Sequence, residues 1–167
     1  MASMHQISVP IYVKHLTALA GCLKKAQTLC TEKKYDEGSL VNYRFYPDMF
    51  SFARQVQQAT EHARNSIGLL AGLEAPKYEM NEKSLAELLA RVEKSVAWLN
   101  TIKPEQVDGT EGKSVTVKAG DRELKFTGLD LLLKRSLPNF YFHCTTAYDI
   151  LRHNGVEIGK RDFMGAA

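Results

Sequence analysis

At 167 residues, 44% hydrophobic and 25% charged, the chain has the composition of one globular domain (residues 1–167), long enough to bury about 70% of its unfolded surface. Its 22 lysines and arginines against 19 acids leave a net charge of +3, too small and too evenly spread for nucleic acid. No apolar run approaches the roughly 18 residues that a bilayer span needs, and no charged-then-apolar leader pattern is present.

Ser8-Val9-Pro10 opens the first predicted helix, since serine caps well and proline is tolerated in a first turn. Val9, Val13, Leu16, Leu19, Leu23 and Ala26 then recur at helical spacing, which predicts a helix from about Val9 to Glu32. Residues 33–46 read as a loop. Pro47-Asp48 is a second start signal, with Asp48 as the expected cap, and Phe52, Val56, Ala59, Ala63, Ile67 and Leu70 form the next apolar face, closed by Gly72. Asn81, or Ser84 with Glu87 three residues on, caps a third helix whose stripe runs from Leu85 to Ile102 and is stopped by Pro104.

The period then changes. Residues 113–127 alternate apolar and polar around Gly120-Asp121, a β-hairpin signature, with Val115, Val117, Leu124 and Phe126 expected on a helix surface. Helix restarts at Thr127-Gly-Leu-Asp130, and Pro138 is expected to break or kink it. Asn139 to Asn154 is the fourth long helix, ended by Gly155, and residues 156–167 read as an irregular tail that Arg152, Lys160, Arg161 and Asp162 help to pin. Four single-striped helices bury best against one another, so the fold class is all-α: a four-helix bundle with a small inserted hairpin. The long first connection and the hairpin insertion are the places where crossover connections are expected.

Three cysteines, Cys22, Cys30 and Cys144, form an odd set without CxxC spacing, which fits a reducing, cytoplasmic compartment and buried, inert thiols. Cys144 follows His143 directly, so their side chains point about 100° apart and cannot pair as nucleophile and base within one helix. Asp149 with Arg152 and His153 reads as a helix-surface ion pair. No Walker, GxSxG or dinucleotide-binding glycine pattern occurs, and helices this long without a basic stripe argue against a helix-turn-helix.

The stretches YPDMFSFARQVQ (Tyr46 to Gln57) and LPNFYFHCTTAYDILRHNGVEIGKRDFMG (Leu137 to Gly165) resemble an uncharacterised family of bacterial and fungal proteins, a domain of unknown function grouped with the DinB/YfiT-like bundles. The resemblance implies a four-helix bundle, commonly a homodimer. In many of the wider group it also implies a divalent metal held by three histidines, one on the second helix and two as H-x-x-x-H on the fourth. Some of those proteins transfer or isomerise groups with a low-molecular-weight thiol. Carried over position by position, His143 matches the first histidine of the fourth-helix pair, Ala147 stands where the second belongs, and Gln55 stands at the second-helix position.

One imidazole, one neutral amide and one methyl group make a degenerate site, so no tight metal or other cofactor is expected, with a weakly bound divalent ion as the alternative. His153 lies about 15 Å along the axis from His143 and cannot share an ion with it. His62, two turns beyond Gln55, would have to form a different site, although a new site from His15, His62 and His143 is conceivable; His5 falls in an expected frayed terminus. A pocket for a small molecule is expected around Gln55, His143 and Ala147, with Phe52 and Tyr141 as aromatic lining. The chain therefore reads as a dimeric small-molecule-binding or interaction protein without nucleic acid or membrane partners. The alternative is a thiol-dependent transferase, isomerase or metalloenzyme with His143 as catalytic candidate.

Overall fold

In the computed structural model, which describes residues 2–165, the four expected helices are α1 (Val9–Lys33), α3 (Phe52–Ala71), α4 (Leu85–Leu99) and α7 (Leu137–His153). Short helices α2 (Glu37–Val41), α5 (Pro104–Val107), α6 (Gly128–Asp130) and α8 (Lys160–Met164) fill the connections. Strands β1 (Ser114–Ala119) and β2 (Arg122–Thr127) form the antiparallel hairpin, with Val115 opposite Phe126 and Val117 opposite Leu124. Residues 1, 166 and 167 of the expected domain and tail lie outside the described residues. No helix among the described residues is long and apolar enough to cross a membrane.

The helix faces are those the periodicity demands. Leu16, Leu23, Val56, Ala59, Ala63, Ile67, Leu88, Val92, Phe140 and Ile150 are fully buried in one continuous core. Helices α1 and α7 run one way, and α3 and α4 run the other. The end of α1 meets the end of α7 where Lys25 reaches the Glu157 carbonyl, whereas Gln57 near the start of α3 bonds to Glu82 just ahead of α4. Since α3 and α4 are parallel, residues 73–84 must return the full length of the bundle. At about 3.3 Å per residue, an extended segment of this length covers the roughly 30 Å of a 20-residue helix. The crossover is thus between α3 and α4, not in the two connections the sequence suggested.

Five local expectations need correction. The loop after α1 contains α2, because Asp36 caps it by accepting from the backbone amides of Gly38 and Ser39. Helix α3 starts at Phe52 behind Ser51 rather than at Asp48, whose neighbourhood is a turn closed by Met49 N–H on the Tyr46 carbonyl. Pro138 does not break the chain. The helix passes into α7 through one π-helical turn, Leu131–Ser136, in which the Leu137 amide donates five residues back to Leu132. A proline in the first turn of α7 lacks the amide that would leave the ladder short, and the Asn139 side chain covers the Arg135 carbonyl at 2.7 Å. The tail is not wholly irregular: α8 is held down by Lys25 on Asp162 at 2.6 Å and by Arg152 on the Ile158 carbonyl. His5 is not frayed either, since its amide donates to Asp108 at 2.7 Å and its ring to the Ile102 carbonyl at 3.3 Å.

Two further signals fail in detail: Ser8 precedes α1, but its hydroxyl donates back to the Met4 carbonyl at 2.6 Å instead of capping, and Arg152 turns to the Ile158 carbonyl rather than to Asp149. Others hold. Ser84 and Glu87 form the reciprocal capping box of α4, Gly72 ends α3 at φ +68°, and Val115, Val117 and Phe126 of the hairpin pack on the core. Lys113, just ahead of β1, donates to the Leu69 and Leu70 carbonyls at 2.8 and 2.9 Å, so the hairpin base caps the C-terminus of α3.

Candidate functional site: an imidazole pair between α3 and α7

Gln55 lies in the first turn of α3, 1% exposed, with its amide nitrogen donating to the Phe50 carbonyl at 3.2 Å. That bond decides the orientation of the amide, so Oε1 faces α7. There it receives Nδ1–H of His143 at 2.7 Å. Because a glutamine oxygen only accepts, the His143 proton must sit on Nδ1, and Nε2 carries the unshared pair. Nε2 makes no hydrogen bond among the described residues.

The ring of His143 lies between two near-parallel neighbours. His62 stacks on it with centroids 5.5 Å apart and planes at 15°, and Phe50 follows at 6.3 Å and 19°. Phe142 presents its edge at 5.3 Å. Burial first, and then the Arg54 charge, hold the His143 pKa down to about 4. His62 is likewise lowered to about 4 by burial, by His143 and by Arg135. Both rings are neutral at physiological pH, so each offers one N–H and one unshared pair.

The expectation that His62 belongs to a different site is overturned by this stacking. In helices, side chains lean toward their own N-terminus. Since α3 and α7 are antiparallel, His62 leans toward Gln55 while His143 leans toward His62, and the two turns between Gln55 and His62 are bridged from both sides. His15 is not brought in. It packs against Tyr141 at 5.0 Å and Phe163 at 5.4 Å, on the α1 side of α7. His153 sits with Tyr43 and Phe45, at 5.8 and 5.7 Å.

Of the remaining expected site residues, Ala147 is fully buried in the core, Phe52 is 0% exposed and belongs to the same core, and Tyr141 faces His15. Among the described residues, no three His, Cys, Asp or Glu side chains converge to hold a metal ion. The oxygen of Gln55 is committed to His143, and Ala147 supplies no donor, so the side chains present do not fit a three-ligand metal centre. All three cysteines are free and buried, and burial pushes the Cys22 thiol up to about 11 and that of Cys144 higher still. None is a ready nucleophile.

A second polar cluster was missed from the sequence. Arg64 and Arg91 are 0% and 3% exposed, in the seam between α3 and α4 beneath the crossover. Arg91 bonds Glu61 at 2.8 Å, Glu82 at 2.7 Å, Thr60 at 2.8 Å and the Glu79 carbonyl at 2.8 Å. Arg64 pairs with Glu61, donates to the Pro76 carbonyl and lies 3.9 Å over the Tyr78 ring. The signal was available: Arg64 stands between Thr60 and Ile67, and Arg91 between Leu88 and Ser95, both at inward positions of their stripes. An arginine on an inward face is buried with partners or not at all.

The fold and site can be set beside known proteins. The family described as Domain of unknown function (DUF1993) matches residues 4–164 of the chain. Among solved structures, the chain is similar to a DinB family member protein from Shewanella denitrificans, with a TM-score of 0.87 and 34% identity over 98% of this chain and 92% of that one. The expected DinB-like bundle with its hairpin is therefore the fold observed. Comparison with curated proteins found no match.

Proposed function

The chain belongs to the DUF1993 family, and on that premise we propose that it is a dimeric, cytoplasmic small-molecule-binding protein whose metal position is degenerate. The observation that carries this reading is the relay from the Phe50 carbonyl through Gln55 to His143, which spends one ring nitrogen on structure and leaves the other unshared pair for a ligand. Ala147, where a chelating partner would stand one turn on, leaves His143 without a second donor on its own helix. The exposed rings of Tyr46, Phe50 and Phe142, 64%, 47% and 56% exposed, support a second copy covering this end of the bundle.

Elemental analysis of the purified protein tests the first part. Less than stoichiometric metal is the expected result, and one tightly held ion per chain would overturn it. Sedimentation at micromolar concentration tests the dimer, which monomer alone would contradict.

A second reading is favoured by the same relay. A neutral imidazole in a fixed tautomer accepts a proton at Nε2, which suits an isomerase- or transferase-type enzyme that takes a small thiol as cosubstrate. Under this reading a folded His143→Ala variant loses turnover in a small-molecule screen, and unchanged turnover removes it.

A further inference from the structure

A cavity of about 280 Å³ opens beside His62, on the side of the imidazole pair toward the hairpin and the π-helical turn. Its wall includes Arg135, Lys118, Gln58 and Asn65, with Met80 and Leu131 as apolar parts. Four separate segments contribute: α3, the crossover, β1 and the π-helical turn. The register shift of the π-helical turn sets where Arg135 and Ser136 stand on that wall, and such turns are frequent at functional sites.

The charges on this wall do not cancel. Glu61 reaches it, but its Oε1 accepts from Arg64 and Arg91 and its Oε2 from the Asn65 amide at 3.2 Å. With Glu82 on Arg91, the seam holds two cations and two carboxylates and is neutral as a unit. Arg135 is different. Among the described residues its side chain has no carboxylate within ion-pair distance and makes no hydrogen bond, although it is only partly exposed. Lys118, on the rim, has no ion-pair partner there either.

Arg54, whose charge acts on His143, has only neutral partners among the described residues. It donates to the Met80 sulfur and to Gln57 at 3.4 Å, and lies 5.4 Å over the Phe50 ring. The two stacked imidazoles thus lie near two guanidiniums, Arg54 by His143 and Arg135 by His62, neither matched by a carboxylate among the described residues.

We propose that this cavity binds a small organic carboxylate, gripped by Arg135 with Lys118 at the rim and its apolar body laid against Met80 and His62. The proposal rests on the small-molecule reading above and names the class of ligand. A guanidinium presents a planar fork that matches a carboxylate with two parallel hydrogen bonds. The Gln58 amide adds a neutral donor, and the volume, just below the usual range for ligand sites, admits a molecule of benzoate size. Met80 and Leu131 suit an organic body better than a bare inorganic anion.

The test is a titration of isotope-labelled protein with benzoate, with benzamide as its neutral counterpart and inorganic phosphate as a third probe. Ring signals of His62 and His143 and the side-chain signal of Arg135 are followed. Benzoate is expected to shift all three and to bind about tenfold more tightly than benzamide. Arg135→Gln is expected to weaken benzoate about tenfold and flatten its salt dependence, with Arg135→Lys falling between, because it keeps the charge and loses the fork. Benzamide binding as tightly as benzoate overturns the carboxylate assignment while leaving a small-molecule site standing. Phosphate binding as tightly as benzoate overturns it in favour of an unselective anion site. No shift with any probe overturns this proposal, and leaves the reading carried by the Gln55–His143 relay to its own tests.

Discussion

His143 and Gln55, 88 positions apart in sequence, are joined by a 2.7 Å hydrogen bond that crosses from α7 to α3 and sets which ring nitrogen carries the proton. Replacing the neutral amide by a carboxylate reverses its electrostatic effect. In Gln55→Glu the buried anion favours the imidazolium, so the His143 pKa is expected to climb from about 4 to above its ordinary value near 6.5. An NMR pH titration of the ring carbons checks this. A pKa that stays where it was would mean that the two side chains do not meet in solution.

The pair also makes stability depend on pH. His62 and His143 both have folded pKa values of about 4, below the ordinary histidine value, so on acidification the unfolded chain takes up protons first. The stabilisation is complete above about pH 6.5 and is lost as pH falls toward 4, a loss on the order of 3 kcal/mol for each ring as an upper bound, reduced by solvent screening of the rings. Urea melts across this window are expected to show the fall. A His62→Gln, His143→Gln double variant should flatten the slope there, and an equally steep slope would point to other groups.

Arg91 ties Glu61, Glu82 and the Glu79 carbonyl to α4, and its removal leaves two carboxylates poorly compensated in a buried seam. Arg91→Met is expected to cost about 3–5 kcal/mol in denaturant melts. It should also expose residues 73–84 to limited proteolysis, because the crossover loses its anchor. Cleavage elsewhere at an unchanged crossover rate would argue against Arg91 as the crossover's anchor.

Gly128 follows the hairpin at the point where the chain passes closest to its neighbour. A Cβ there would stand 2.0 Å from the Thr110 carbonyl oxygen, a backbone atom that cannot swing aside. Gly128→Ala is accordingly expected to destabilise the fold by about 1–3 kcal/mol, the usual cost of forcing a core apart. Gly109→Ala is not a useful control, since its φ of +80° strains any side chain, whereas Gly21→Ala meets open space and should be near neutral or stabilising in mid-helix.

Much of the fold was legible because its causes are local. The stripes of α1, α3, α4 and α7, the Ser84 box, the Gly72 terminus and the hairpin around Gly120-Asp121 each follow from residues within a few positions of one another. Local pattern also erred where two local signals competed. Asp48 looked like a cap, but Ser51 lies next to the Phe52 that the core buries, and burial of an aromatic outweighs a choice between two capping residues. Pro138, expected to break or kink the helix, does not break it, because the π-helical turn just ahead of it absorbs the missing amide.

What the sequence by itself determined is the set of helices, their inward faces and the presence of alanine one turn beyond His143 on the same helix. Only the tertiary structure decided that α3 and α4 run parallel, that His62 stacks on His143, and that Arg64 and Arg91 are buried as a neutral group under the crossover. The physical reason is distance along the chain. Periodicity and capping are settled by neighbours three or four residues away, whereas a meeting of side chains 81 or 88 positions apart depends on helix direction, axial register and side-chain lean together.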